Sequence, residues 1–105
     1  MAKNKREFDL EERTYVFARD CRLLVREIPK TIENIDDCKQ LVKASGSVSA
    51  NYIEANEALS KKDFIYRIKI CRKESKESKL WLRLLAEVNN DKKIYFYLYH
   101  RKQMN

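Results

Sequence analysis

The sequence predicts an all-α protein built from long helices with short connections, and three observations predict it. The 105 residues contain one glycine, Gly46, and one proline, Pro29. A sandwich or barrel needs such residues at nearly every turn, so their scarcity argues for few connections. Apolar side chains recur at steps of three and four through three long segments, the period of a helix with one buried stripe. Hydrophobic residues reach 44% beside 37% charged, enough to form a core and to argue against disorder. The length fits one domain, residues 1–105, with residues 1–8 polar and frayed.

The first helix is expected to start at Asp9, a capping residue followed by Glu11 and Glu12 in the positively polarised first turn. Leu10, Thr14, Phe17, Cys21, Leu24 and Ile28 then form its seam, and Pro29 ends it by removing a backbone donor and clashing with the preceding turn. Thr31 is placed to cap the second helix. Its seam reads Ile35, Cys38, Val42, Ser45, Ser49, Tyr52 and Asn56. Gly46 costs about 1 kcal/mol relative to alanine inside a helix, yet the period keeps phase across "ASGSVSAN", so one continuous helix is expected.

"SKKD" at residues 60–63 resembles a capping box with Ser60 as the cap. The third helix follows, with a main seam of Phe64, Ile68, Cys71, Ser75, Ser78, Leu82 and Leu85. A second stripe runs Ile70, Glu74, Glu77, Trp81, Leu84, Val88, which makes the buried face wider than one neighbour requires; "NND" at 89–91 ends the helix. The tail "KKIYFYLYHRKQMN" admits two readings. Ile94, Phe96 and Leu98 alternate with Tyr95, Tyr97 and Tyr99 as in a strand, while Ile94–Leu98 and Tyr95–Tyr99 fit helical i,i+4 pairs. Helix is preferred, because a lone strand would have no pairing partner.

The net charge of +7 favours polyanions at long range without defining a site. No apolar run approaches the roughly 18 residues needed to span a bilayer, and "MAKNKREFDL" lacks the apolar core of a signal peptide, so a cytoplasmic protein with no membrane partner is expected. Cys21, Cys38 and Cys71 are widely spaced and form no C-x-x-C pair. They read as small buried hydrophobes. The sole histidine, His100, lies far from them, and no metal or cofactor is expected.

Two segments carry a family resemblance. "SVSANYIEA" (47–55) resembles the S-x-x-x-N-I-x-E-G/A segment of proteins related to the 23S rRNA intervening-sequence protein, and "KESKESKLWLRLL" (73–85) resembles their third-helix segment K-E-x-x-E-x-x-x-W-L-R-L-L. The likeness runs from about Phe8 to Val88. It implies an up-and-down four-helix bundle that assembles into a ring-like homopentamer in a bacterial setting. Some relatives are encoded within rRNA genes. Others, the accessory variability determinants of diversity-generating retroelements, are basic and work with a reverse transcriptase and RNA. The family's fourth helix is usually longer and more polar on one side than "IYFYLYHRKQMN", so a short or atypical fourth helix is expected here.

Asn51, Glu54, Glu74, Glu77 and Arg83 are the polar members of these motifs. A carboxylate taken from water needs donors or a cation, so these five are expected to form a structural polar network that fixes helix register or subunit order. The competing readings are acid–base catalysis, a metal site and a surface pair that balances nearby lysines. A di-iron bundle site needs Glu-x-x-His, which is missing. Leu80, Trp81 and Leu84 are expected to anchor an oligomer interface or the core. Lys62, Lys69, Arg72, Lys73, Lys76 and Lys79 on the third helix form the candidate nucleic-acid contact, which a ring would multiply. The tyrosines of the tail can stack on bases, although packing is the preferred use. The sequence thus predicts a non-enzymatic, self-associating bundle that binds RNA or serves as an adaptor to a nucleic-acid-processing protein. The alternative is a protein-interaction scaffold that touches no nucleic acid.

Overall fold

The computed structural model describes the backbone of residues 5–100 and the side chains of residues 9–98. Four helices follow one another, α1 (Lys5–Val25), α2 (Ile32–Asn56), α3 (Lys61–Asn89) and α4 (Lys92–His100), and no strand occurs among the described residues. Short connections make chain neighbours antiparallel. Contacts between opposite ends agree: Asn56 at the end of α2 donates to Glu11 near the start of α1 (2.7 Å), and Lys93 at the start of α4 pairs with Glu27 beyond the end of α1 (3.1 Å). The molecule measures 46 × 22 × 18 Å. Its long axis is set by the 29 residues of α3, about 43 Å at 1.5 Å per residue.

α1 begins before Asp9, not at it. "KREFDL" continues the helix toward the N-terminus, and Asp9 sits inside it as the exposed partner of Arg13 at 3.9 Å. The helix thus reaches back to Lys5, and residues 1–4 lie outside the described residues. α1 also ends earlier than Pro29. Its last residue is Val25, the residue whose carbonyl a helical Pro29 would strike, and a turn closed by Glu27 N–H to Leu24 O (3.0 Å) follows.

The caps of α2 and α3 are as expected. Thr31 Oγ1 accepts from Asn34 N–H (3.3 Å) and Ser60 Oγ from Asp63 N–H (3.1 Å). Asn90 closes α3 in the left-handed region, φ 48°, which asparagine tolerates better than most residues. Asp91 then caps α4 by accepting from Lys93 N–H (2.8 Å). α2 is unbroken at Gly46, where a Cβ would stand 2.9 Å from Arg22 Nη2. The missing side chain makes room for the Arg22 guanidinium, which donates to Ala18 O (3.0 Å) and Val42 O (3.4 Å).

The core joins Phe17 and Cys21 of α1, Cys38 and Leu41 of α2, Leu82, Leu85 and Ala86 of α3, Ile28 of the first loop, and Ile94 of α4. The buried residues of α2 are Asn34, Cys38, Leu41, Ala44, Ser45, Val48 and Ala55, so Cys38 and Ser45 of the expected seam are buried while its other members lie to the side; Ile35 is exposed. α2 touches both α1 and α3, and the centre of its buried face falls between the two apolar edges that the sequence displays. On α3 only the C-terminal half of the expected seam is buried. Phe64 is exposed, and Ile68, Cys71 and Ser75 are half-buried, because α4 does not reach them.

The tail reading resolves to helix over 92–100. Tyr97 stacks on Phe17, ring centroids 6.3 Å apart, and its hydroxyl donates to Phe17 O (3.5 Å), while Tyr95 donates to Glu87 (2.8 Å). Two tail tyrosines are thus engaged in packing; the side chain of Tyr99 lies outside the described residues.

One buried polar lock was not anticipated. Asn34 and Asn89 exchange both amide hydrogen bonds (2.8 and 2.9 Å), while Asn34 also donates to Pro29 O (2.9 Å) and Asn89 to Leu85 O (2.8 Å). Asn34 is 1% exposed. The pair joins the first loop, the start of α2 and the end of α3.

Candidate nucleic-acid interface

α3 presents most of the candidate residues, and its length follows from straight-chain lysines, arginines, leucines and glutamates, which lose little freedom in a helix. Lys62, Lys69, Arg72, Lys73, Lys76 and Lys79 are all exposed. Lys62, Lys69, Lys73 and Lys76, at steps of 7, 4 and 3, run down the outer face for about 21 Å. Lys73 meets Glu77 at 4.0 Å, a solvated i,i+4 pair worth little. Arg72 and Lys79 lie on the flank toward α1, where with Lys76 they edge a groove. Arg67, by contrast, is used within the fold. Its guanidinium donates to Asn51 Oδ1 (2.9 Å) and rests 5.7 Å from the centre of the Tyr66 ring.

The five motif residues do not form one hydrogen-bonded network within the chain. Asn51 donates to Ser47 O (2.9 Å) and Ser47 Oγ (3.0 Å) and accepts from Arg67. Glu54 and Arg83 are exposed. Glu74 and Glu77 are half-buried, and neither meets Asn51. The cause is register. Cys71 Sγ donates to Val48 O (3.4 Å), so in the antiparallel pair Glu74 is level with about Ser45, two turns away from Asn51. Sequence reasoning named Asn51 but missed Arg67 as its partner. The signal was there in kind, a cation nearly two turns into α3 and an amide a little over one turn from the end of α2 across a short loop.

Of the expected anchors, Trp81 packs half-buried against the core, whereas Leu80 (47%) and Leu84 (37%) are exposed together with Val88 (56%). Leu82 and Leu85 take the core positions instead, 3% and 0% exposed. Burial pushes the Cys21 thiol up to about 12, and it also raises Cys38 and Cys71. All three cysteines are free. No group of histidine, cysteine and acidic side chains suited to a metal occurs among the described residues. No helix among them is long and apolar enough to cross a membrane.

The fold and the candidate face define a helical-bundle protein with a long basic third helix and a partly exposed apolar stripe beside it. The family model of the 23S rRNA-intervening sequence protein matches residues 6–99, and the chain belongs to that family. A solved structure with the same fold is a protein of unknown function from the S23 ribosomal protein family of Bacteroides thetaiotaomicron. It superposes with a TM-score of 0.83 at 24% identity, over 94% of this chain and 90% of that one. No curated protein matches the chain.

Proposed function

We propose that this chain is a non-enzymatic, self-associating bundle that binds RNA through the outer face of α3. The observation that carries the reading is the line of Lys62, Lys69, Lys73 and Lys76, exposed over about 21 Å and met by one acidic neighbour, Glu77. Such a line neutralises phosphates and releases counterions without reading bases. Self-association is supported by the exposed Leu80, Leu84 and Val88 beside Trp81, a stripe that a monomer leaves in water. The family resemblance extends this to a ring of five, cytoplasmic in its setting, in which each basic face is repeated. Glu74 and Glu77 then serve at the rim of an assembly rather than as an acid–base pair.

The test is retention of RNA by the purified protein at low salt, read beside its mass by light scattering. The reading expects a mass of five times 12.6 kDa and RNA binding that the triple variant Lys62→Glu, Lys69→Glu, Lys73→Glu loses. A folded oligomer that ignores RNA at low salt would favour the scaffold reading, to which the exposed leucines also lend themselves.

A further inference from the structure

Among the described residues, the fourth helix fills only part of the space the other three leave. α3 has 29 residues and α4 nine, about 43 Å against about 13 Å. Ile94 and Tyr97 occupy the slot between α1 and α3 at the level of Phe17, Leu82 and Leu85. Further along, past Thr14 of α1 and Lys79 of α3, the slot continues as an open groove of about 510 Å³. Leu10, Val48, Tyr52, Ile68 and Cys71 make its floor and walls, one or two from each of the three long helices. Arg72, Lys76 and Lys79 stand on its α3 rim, all exposed.

We propose that this groove seats an acidic amphipathic helix of a partner protein. Two features select that occupant. The same three helices that hold α4 line the groove, so its width suits a helix and its floor suits a line of apolar side chains at three- and four-residue spacing. The rim is cationic on the α3 side, and on the α1 side Arg13 is paired with Asp9 at 3.9 Å, so carboxylates flanking an apolar stripe complement it. The groove shares only Lys76 with the RNA-binding line of the proposed function, since Lys62, Lys69 and Lys73 do not line it.

The experiment uses the full chain and two fluorescent peptides of about 15 residues. Both carry leucines at three- and four-residue spacing; one is flanked by glutamates and the other by lysines. Anisotropy should report saturable binding of the glutamate peptide. Arg72→Glu with Lys79→Glu should weaken it roughly tenfold and favour the lysine peptide, while Lys62→Glu with Lys73→Glu leaves it unchanged. Arg72→Gln with Lys79→Gln, a milder change, should give a smaller loss in the same direction, with the melting curve retained in each variant. The proposal is overturned if neither peptide binds, if both bind alike, or if binding survives the charge reversal. It is also overturned if the glutamate peptide binds only after residues 101–105 are removed, since the chain's own tail would then be the occupant.

Discussion

Replacing Asn34 by alanine removes three hydrogen bonds at once: the donations to Pro29 O and Asn89 Oδ1 and the acceptance from Asn89 Nδ2. At about 1 kcal/mol net for each, with the abandoned groups enclosed, the loss should be about 3 kcal/mol. Asn89→Ala also removes three, the two shared bonds and the donation to Leu85 O. The double variant loses four bonds in all, about 4 kcal/mol, against about 6 kcal/mol if the effects added. The coupling is therefore about 2 kcal/mol. Urea unfolding of the four proteins at one fixed concentration measures it, since self-association makes stability depend on concentration. In a domain of this size each kcal/mol moves the melting temperature by about 4–8 °C, so Asn34→Ala should melt at least about 12 °C lower. Additive single effects, or an Asn34→Ala loss below about 1 kcal/mol, would refute the role assigned to the pair.

Gly46→Ala should stabilise the protein by about 0.5 kcal/mol, because the helix gains about 1 kcal/mol and the exposed Arg22 must give way. In an Arg22→Ala background the full gain should appear, and destabilisation in both would contradict the packing described. Ser60→Ala should cost about 1 kcal/mol by freeing the Asp63 N–H, read from the shift in the urea midpoint. Cys21 is neutral at low pH and its folded pKa lies above its ordinary 9.0, so its contribution is complete below pH 9 and is lost as pH rises toward about 12. Cys21→Ala should flatten that alkaline decline. At pH 8 iodoacetamide should label the half-buried Cys71 before Cys21, and mass spectrometry showing the reverse order would contradict the burial.

Helix starts were legible where a side chain makes its own local bond, as at Thr31 and Ser60, and the end of α3 where Asn90 takes up the left-handed backbone. Asp9 misled because a capping residue type is also tolerated one turn into a helix, where Arg13 four residues on gives it a partner. The continuity of α2 through Gly46 was legible from phase alone, but the reason, a guanidinium lying over the glycine, belongs to packing between helices. The register of α2 against α3 was not legible. It is fixed by Leu41, Val48 and the Asn34–Asn89 exchange, contacts that no single-helix pattern encodes, and it separates Asn51 from Glu74. The cations of the candidate interface were legible because exposed charges need no partner to keep their place. The tail alternated as a strand would, and the slot beside Phe17, Cys21 and Leu85 makes it a helix.

The salt dependence of RNA binding bears on the account most directly. Plotted as log affinity against log salt, the protein should give a slope of about −0.7 per phosphate contacted on single-stranded RNA. Loss of Lys62, Lys69 and Lys73 to glutamine should make that slope shallower by about 2 while the oligomer persists. An unchanged slope in a folded triple variant would mean that the outer face of α3 does not touch the nucleic acid.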